Sequence, residues 1–318
     1  MRDNPRMGIS AYIKEIGRGK DGARSLNREQ AADLMGQLLD GQVSDLEIGA
    51  FCLAMRIKGE TPEEMAGFID AAQQRLHHFE SPATTPTVVI SSYNGSRKLP
   101  LLTPLLAWLM AREGFAVLVH GSTTEGARVT SEQVFSAMGN VPAQRPTRLE
   151  PGLVVLAPTE VLSPALQALL AVRRVVGLRN PAHSLVKMLN PIHGSALLVC
   201  SHTHPEYALS MTQTLSLIQA NALLLRGTEG EPVADPRRTP AMTGFVGGHA
   251  TLMCEQQAGS LTDMPTLPQD NSAQTTAAYI HSVLNGQSPV PAPLAQQVLV
   301  LCRLAEQIGA PSKAPSSP

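Results

Sequence analysis

Residues 92–98, with the sequence SYNGSRK, combine residue types and a position that suggest phosphate chemistry. They follow the apolar run 87–90 and precede a helix-like run over residues 101–110. A polar loop between a strand and a helix brings free backbone N–H groups together with the positive end of the helix dipole, and this arrangement binds phosphate. The loop has a single glycine, however, and ends in two cations, Arg97 and Lys98. The sequence leaves open whether it forms a nucleotide-substrate pocket or binds phosphates of another kind.

Basic residues are unevenly distributed along a chain whose net charge is −1. Residues 81–205 contain ten Lys or Arg and five Asp or Glu, whereas the rest of the chain contains fifteen and twenty-one. Residues 161–205 carry four cations and no acid. This distribution is compatible with a locally positive surface on a neutral protein, and equally with cations scattered over a solvated face.

Several classes of protein are excluded by composition. The four cysteines lie far apart without a CxxC pair, which argues against a disulfide framework or a zinc ribbon. The longest apolar runs are too short to cross a bilayer, and the first residues, MRDNPRMG, contain no signal-peptide core. We therefore expect a cytoplasmic protein without membrane contact.

Three helix-start signals follow one another in the first 80 residues. Asn27 and Ser44 begin sequences that fit the capping box, and Thr61 precedes a proline at the first helical position. This pattern predicts a helical bundle. One apolar stripe within it recurs at three- and four-residue spacing and needs a partner surface; its members are Leu46, Ala50, Leu53, Ala54 and Ile57.

Short apolar runs alternate with helix-like segments from residue 87 onward. Alternation of this kind is typical of a parallel βαβ sheet. The predicted strands cover residues 87–91, 115–119, 153–157, 174–177, 196–200 and 222–225. Helices are expected over 271–286 and 293–308, and a flexible tail over 311–318. The predicted fold class is α/β, with a small all-helical domain over residues 1–82 and a larger α/β domain with a mainly parallel sheet over 83–310.

Motifs along nearly the whole chain resemble the anthranilate phosphoribosyltransferase-like proteins, which are related in fold to the pyrimidine nucleoside phosphorylases. The motifs are LAMRIKGET at 53–61, EEMAG at 63–67, HG at 120–121, VGLRN at 176–180, LNP at 189–191, HPE at 204–206 and RGTEG at 226–230. The resemblance implies dimerisation through the helical domain, to which a later segment near residues 180–193 contributes. In the enzymes, the cleft between the domains binds phosphoribosyl pyrophosphate, Mg²⁺ and anthranilate.

The substrate-binding motifs of those enzymes are altered in this chain. Their GTGGD-type loop corresponds to SSYNGS at residues 91–96, where Tyr93 and Asn94 replace glycines whose missing side chains let the backbone close on a phosphate. Their K-H-G-N-R segment becomes VHGST at 119–123, so only the histidine and glycine remain. The resemblance therefore implies a vestigial substrate loop without catalytic residues, made of Ser92, Tyr93, Asn94, Gly95, Ser96, His120 and Gly121.

The acidic pair that binds Mg²⁺ in the enzymes falls at residues 231–232, which here are Glu and Pro. Mg²⁺ that bridges a pyrophosphate needs adjacent carboxylates. Glu229 and Glu231 are the carboxylates that could compensate, but we expect neither a metal nor a cofactor.

Positive charge remains where substrate ligands are lost, and this resembles a non-enzymatic branch of the same family. The resemblance implies a homodimer that binds single- and double-stranded nucleic acid without sequence preference along a basic groove. The candidate contacts are Arg97, Lys98, Arg128, Arg173, Arg174, Arg179, Lys187, Arg18 and Lys20. For Arg179, which the enzymes retain, a structural salt bridge is the alternative. The alternative for Arg18 and Lys20 is that they lie in a flexible connector without a binding role. The alternative for Arg97 and Lys98 is that they are solvated loop cations.

Two other functions remain open from the sequence. One is a phosphoribosyltransferase or nucleoside phosphorylase with an altered substrate, and the other is a module that binds a partner protein through its helical face. The segment GFVGGHAT at 244–251 is too loose for a dinucleotide fingerprint. Cys200, His202 and His204 have the ligand types of a zinc site but lack a fourth ligand at usual spacing.

Overall fold

A seven-stranded sheet forms the centre of the computed structural model, which describes residues 8–19, 21–82, 85–122, 126–260 and 264–309. The strands are β1 (Phe79–Glu80), β2 (Thr87–Ser92), β3 (Val117–Gly121), β4 (Val154–Pro158), β5 (Ile192–His193), β6 (Ala196–His202), β7 (Ala222–Arg226), β8 (Met242–Val246) and β9 (His249–Cys254). The order across the sheet is β4-β3-β2-β6-β7-β8-β9, in which β8 pairs antiparallel with both β7 and β9 and all other pairs are parallel. Strands β1 and β5 pair separately. The predicted α/β class with a mainly parallel sheet is confirmed.

Helices cover both faces of this sheet. They are α1 (Ser10–Ile16), α2 (Arg28–Leu39), α3 (Asp45–Lys58), α4 (Pro62–Gln73), α5 (Thr103–Arg112), α6 (Ser131–Ala137), α7 (Thr159–Leu162), α8 (Pro164–Ala171), α9 (Arg173–Val176), α10 (Ala182–Leu185), α11 (Pro205–Leu217), α12 (Ala273–Leu284) and α13 (Ala292–Gly309). Helices α5, α6, α12 and α13 pack on one face, and α11 and the N-terminal helices pack on the other. Because both faces are covered, the central strands are buried apolar runs.

The helical layer is built by the predicted caps and by one close helix contact. Asn27, Ser44 and Thr61 each form a complete capping box at the start of α2, α3 and α4. Helices α2 and α4 approach so closely at Gly67 that a Cβ there would lie 2.2 Å from the carbonyl oxygen of Arg28. Helix α8 packs on α2 and α10 packs on α4, so part of the later chain completes the layer.

The motif at residues 53–67 stabilises this helical layer. The Lys58 Nζ lies 2.6 Å from Glu64 Oε2, and Glu64 is fully buried. The backbone N–H groups of Leu26 and Thr61 also donate to that carboxylate, each at 2.9 Å. Gly59 ends α3 with a φ of +81°, which favours glycine. The motif therefore fixes the turn between α3 and α4.

The prediction of a strand at residues 174–177 is wrong. Residues 173–176 form the short helix α9, in which the N–H of Val176 donates to Val172 O at 2.9 Å. Gly177 ends this helix in the left-handed conformation. The segment lies beside α8 and pairs with no strand of either sheet, so local helical bonds form instead.

The sequence did not predict every element, and the short strands β1 and β5 are among those it missed. Helix α1 precedes the loop that contains Arg18, and β8 and β9 form a hairpin. The hairpin turn is Gly247-Gly248, with φ values of +55° and +82°, and two glycines with positive φ are typical of a two-residue turn. The segment at 244–251 is therefore a hairpin, which accounts for its loose resemblance to a dinucleotide fingerprint.

Lys20 and the predicted tail at 311–318 lie outside the described residues. Across the described ranges, the helices are all too short or too polar to cross a membrane.

Candidate functional site

The candidate site lies at the carboxyl edge of the parallel strands, where the strand order changes direction. The chain leaves β2 through α5 toward β3 on one side, and leaves β6 through α11 toward β7 on the other. A crevice forms outside the strand ends at such a switch point and is the usual ligand site of open α/β sheets. The predicted loop at 92–98 and the acidic turn at 228–231 meet in this crevice.

The buried carboxylate of Glu231 sits inside the loop that follows β2. Its Oε1 accepts from the backbone N–H groups of Asn94 at 2.7 Å and Gly95 at 2.8 Å. Its Oε2 accepts from Ser92 Oγ at 2.5 Å and from Thr103 Oγ1 at 2.9 Å, and Thr103 is the first residue of α5. Every one of these donors is of the kind that binds a phosphate oxygen.

A second carboxylate, that of Glu229, accepts from the next backbone groups of the same loop. Arg97 N donates to Oε2 at 2.9 Å, and the N–H groups of Lys98 and Leu99 donate to Oε1 at 2.9 and 3.0 Å. That Tyr93 and Asn94 keep this backbone from closing on a phosphate stays a prediction. In the structure its N–H groups close on two carboxylates of the chain itself.

Tyr93 and His120 form a buried pair behind this loop. The Tyr93 hydroxyl is hydrogen-bonded to His120 Nδ1 at 2.8 Å and accepts from Thr159 Oγ1 at 3.1 Å. Burial lowers the pKa of His120 to about 3, so the ring is neutral at physiological pH. The next residue, Gly121, allows β2 and β3 to approach, because a Cβ there would lie 1.9 Å from Ser92 O. His120 and Gly121 thus pack the strand ends.

Three of the predicted cations meet at the mouth of the crevice. Lys187 Nζ lies 3.5 Å from Gly230 O, and Arg128 Nη1 donates to Gly95 O at 3.2 Å. Burial lowers the pKa of Lys187 to about 8, and the nearby charges of Arg179 and Arg128 act in the same direction. The carboxylate of Glu231 opposes this shift. The lysine keeps most of its charge at pH 7, and the three cations form one positive cluster.

Arg226 is a further cation at this edge that the sequence analysis did not propose. It is exposed at the end of β7, in register with His202 at the end of β6. The pKa of His202 is lowered by burial, then by the charges of Arg226 and Lys187. Its position in the sequence could have identified it as a candidate, because Arg226 begins the RGTEG motif directly after a predicted strand.

A cleft of about 480 Å³ separates the helical layer from the sheet. It is lined by Arg56, Arg179, Lys187, His202 and Tyr207, among others. Two of the candidate cations, Arg179 and Lys187, therefore line this cleft.

The remaining candidates lie elsewhere. Arg97 and Lys98 are exposed on the loop itself. Arg174 lines a separate groove beyond the ends of β3 and β4, together with Arg145, and Arg173 lies on the same short helix. Arg18 Nη2 lies 2.7 Å from Glu15 Oε1 in an exposed ion pair. The predicted cations that the structure describes, all except Lys20, therefore do not form one continuous site.

The Mg²⁺ and pyrophosphate implied by the family do not fit this arrangement. The oxygens of Glu229 and Glu231 already accept from N–H and O–H groups, including the backbone N–H groups of the loop after β2. Within the described ranges, His, Cys, Asp and Glu form no group of three that could hold a metal ion. Cys200 lies in the core of β6, where burial raises its thiol pKa to about 12.

Comparison with known proteins first identifies the class of protein to which this chain is similar. Residues 10–75 match the helical bundle domain of a glycosyl transferase family. The fold is similar to anthranilate phosphoribosyltransferase from Thermus thermophilus, with a TM-score of 0.72, 22% identity, and coverage of 96% of this chain and 90% of that one. The chain belongs to the anthranilate phosphoribosyltransferase-like family.

Two individual relatives support this assignment. The uncharacterized protein YbiB of Escherichia coli strain K12 is 40% identical over 298 residues, which cover 92% of each chain. An anthranilate phosphoribosyltransferase of Anaeromyxobacter dehalogenans strain 2CP-C is 32% identical over 89% of this chain and 84% of its own length.

Proposed function

We propose that this protein is a sequence-nonspecific nucleic-acid-binding protein on a catalytically inactive phosphoribosyltransferase scaffold. The observation that carries the proposal is that the Glu231 carboxylate takes up the N–H groups of the loop after β2, beside cations that lie at the same edge. Ribosyl transfer requires a positioned pyrophosphate and its metal ion. Since these donors are engaged within the chain, the cations of this edge are proposed to contact phosphates from outside.

The charges at this edge suit an extended polyanion better than a single small ligand. Arg97, Lys98 and Arg226 are exposed, whereas Arg128, Arg179 and Lys187, which meet at the mouth of the crevice, are only partly exposed. Exposed cations spread over a surface contact successive backbone phosphates and carry no sequence information. Aromatic residues make up only 3% of the chain, so base stacking contributes little to the binding that we propose.

Replacing Arg97 and Lys98 together by alanine should weaken binding equally for all sequences. It should also make the slope of log K against log salt shallower by about one unit per lost contact. Fluorescence anisotropy with labelled single strands and duplexes of two unrelated sequences measures both effects. The matched control is Arg112→Ala/Arg303→Ala, which removes two exposed cations from α5 and α13. The proposal fails if the wild-type protein does not bind at low salt, or if the control weakens binding as much as the test variant.

An enzyme with an altered substrate is the second candidate, because the cleft lined by Arg179 and Lys187 remains open. A ribosyl donor that binds there at about 100 times its dissociation constant adds about 2.7 kcal/mol to the free energy of unfolding. Our proposal expects no rise in the melting temperature with phosphoribosyl pyrophosphate and Mg²⁺. A rise would favour the enzyme instead.

We further propose a homodimer through the exposed face of α3. Leu46, Leu53 and Ile57 are 84%, 48% and 59% exposed, although they lie on one apolar stripe. Burying such side chains in a second copy would stabilise the pair by about 25 cal/mol per Å² of apolar surface removed from water. Within the described parts of one chain, the three large side chains of the predicted stripe are therefore largely uncovered, as those of a dimer interface would be.

Leu53→Glu should convert the dimer to a monomer, because a carboxylate would be buried without a partner at its centre. Size-exclusion chromatography with light scattering gives the mass directly. Leu252, which is 56% exposed on β9, provides the control, and Leu252→Glu should stay dimeric. A wild-type monomer at micromolar concentration would exclude this interface.

A further inference from the structure

Two stretches of chain, residues 74–81 and 187–193, cross from the helical layer toward the central sheet side by side. Strands β1 and β5 pair in parallel here, with Phe79 opposite Ile192 and Glu80 opposite His193. A third segment joins them through a bridge between Glu80 and Arg148. The first stretch leads to β2 and the second to β6, so hydrogen bonds at this crossing hold the helical layer against the sheet.

The side chain of Gln73, the last residue of α4, clamps the second stretch. Its amide nitrogen donates to Asn190 O, and its Oε1 accepts from Asn190 N at 3.3 Å. Because the amide pairs with both backbone groups of one residue, its orientation is fixed. Turning it over would place oxygen against oxygen and N–H against N–H. The same amide nitrogen lies 3.0 Å from Nε2 of His78.

This arrangement requires the His78 ring to be neutral. The Gln73 nitrogen is a donor, so the facing Nε2 of His78 must accept, and the ring proton lies on Nδ1. Protonation of Nε2 would place two N–H groups against each other and remove this hydrogen bond. Gln73 cannot adapt by turning over, because it would then lose both of its contacts with Asn190.

The surroundings of His78 also oppose a positive charge on its ring. The ring stacks on that of His193, with centroids 4.1 Å apart and planes at 25°. Burial lowers the pKa of His78, and the charge of His193 acts in the same direction. A backbone hydrogen bond with Leu76 and the charge of Glu80 oppose this shift, and His77 adds to it. The charged and titratable groups on the elements that meet here include His193, His77, Glu80, Arg148 and the Arg28–Asp70 ion pair.

The clamped stretch also forms a wall of the cleft described above. A second cavity, of about 310 Å³, lies on the other side of this stretch and is lined by Gln73 and Asn190. Met188 lines both the cleft and this cavity, and Lys187 lines the cleft. The position of Lys187 therefore depends on a stretch that Gln73 holds three residues further along the chain.

We propose that His78 is a proton-operated latch between the helical layer and the sheet. At neutral pH the ring holds Gln73, and Gln73 holds Asn190. Acidification protonates the ring, Gln73 releases Asn190, and the wall that carries Lys187 loosens. Because the folded state lowers the pKa of His78 below 6.5, the stability from this contact is complete above that value. It is lost as the pH falls through the lowered pKa, whether or not the positive edge binds nucleic acid.

Hydrogen exchange measured by mass spectrometry at about pH 7.5 and about pH 5, and expressed as protection factors, tests the latch. In the wild type, peptides that cover residues 74–81 and 187–193 should lose protection about tenfold at the lower pH, because the opened state takes up a proton that the closed state resists. His78→Gln offers Gln73 an acceptor that does not titrate, so the same peptides should keep their protection. The difference between the two proteins removes the general effect of acid, including that of His120.

NMR titration of the His78 ring measures the protonation step itself. Gln73→Glu should raise the pKa of this ring, because a carboxylate accepts from the protonated ring where the amide cannot. His193→Gln should also raise it, because a charge that opposes the proton is removed. His249→Gln, at an exposed position on β9, is the control and should change neither the titration nor the exchange.

An equal loss of protection in the wild type and in His78→Gln would overturn the proposal. An unchanged titration of His78 in Gln73→Glu would do the same, because Gln73 would then only pack against the ring. If His78→Gln does not fold, as judged by circular dichroism, the titrations of Gln73→Glu and His193→Gln decide the matter.

Discussion

Raising the salt concentration from about 50 to about 200 mM should weaken the binding of duplex DNA by roughly 10²- to 10⁴-fold. The proposed binding uses phosphate contacts, and each contact on duplex DNA releases counterions and contributes about −0.9 to the slope of log K against log salt. About four to eight contacts across a dimer give the stated range. The exposed cations at the loop and at the end of β7 are of the right number and type to make these contacts.

Anisotropy titrations at several salt concentrations measure this slope. The pH should be held at 7, where Lys187, with a pKa of about 8, keeps most of its charge. Single strands should give a shallower slope of about −0.7 per contact. A slope near zero would contradict phosphate-directed binding, and a strong preference for one sequence would indicate base contacts in its place.

Acidification from pH 7 to pH 5 should destabilise the protein by about 2 kcal/mol through His120 alone. Burial lowers the pKa of this ring from 6.5 to about 3, so the folded state keeps it neutral where the unfolded state protonates it. The unfolded state therefore binds more protons between these two pKa values. Stability from this group is complete above pH 6.5 and is lost as the pH falls toward 3.

Urea unfolding of the wild type and of His120→Gln at pH 7 and pH 5 isolates this contribution. Other histidines also respond to acid, since burial lowers the pKa of His78 and of His202, so the difference between wild type and variant is the relevant quantity. The variant should lose about 2 kcal/mol less than the wild type. His281→Gln, at an exposed position on α12, should behave as the wild type does. Parallel curves for wild type and His120→Gln would show that the ring is accessible to protons in the folded state.

The elements that local chemistry specifies were predictable. Helix starts at Asn27, Ser44 and Thr61 follow from caps that act within three residues, and five of the parallel strands follow from apolar runs that both faces bury. The strand predicted at residues 174–177 failed because β-branched residues favour a strand only where a neighbouring strand exists to pair with. Local propensity cannot supply that neighbour.

The sequence predicted where the candidate site lies, but not which group its loop binds. The change from glycines to Tyr93 and Asn94 and the two cations at Arg97 and Lys98 are visible in seven consecutive residues. Such residues mark a phosphate-type loop whose original ligand contacts are altered. That much the sequence determined, because residue type and local spacing decide which donors and charges a loop can offer.

Only the tertiary structure decided what fills this loop. Glu231 lies 136 positions after Gly95, and its carboxylate arrives there because β2 and β7 flank β6 in the same parallel sheet. The burial of that carboxylate and the lowered pKa of Lys187 follow from the same strand order. Hydrogen bonding and burial depend on distances in space, and in a doubly wound sheet those distances are set by the order of strands rather than by separation along the chain.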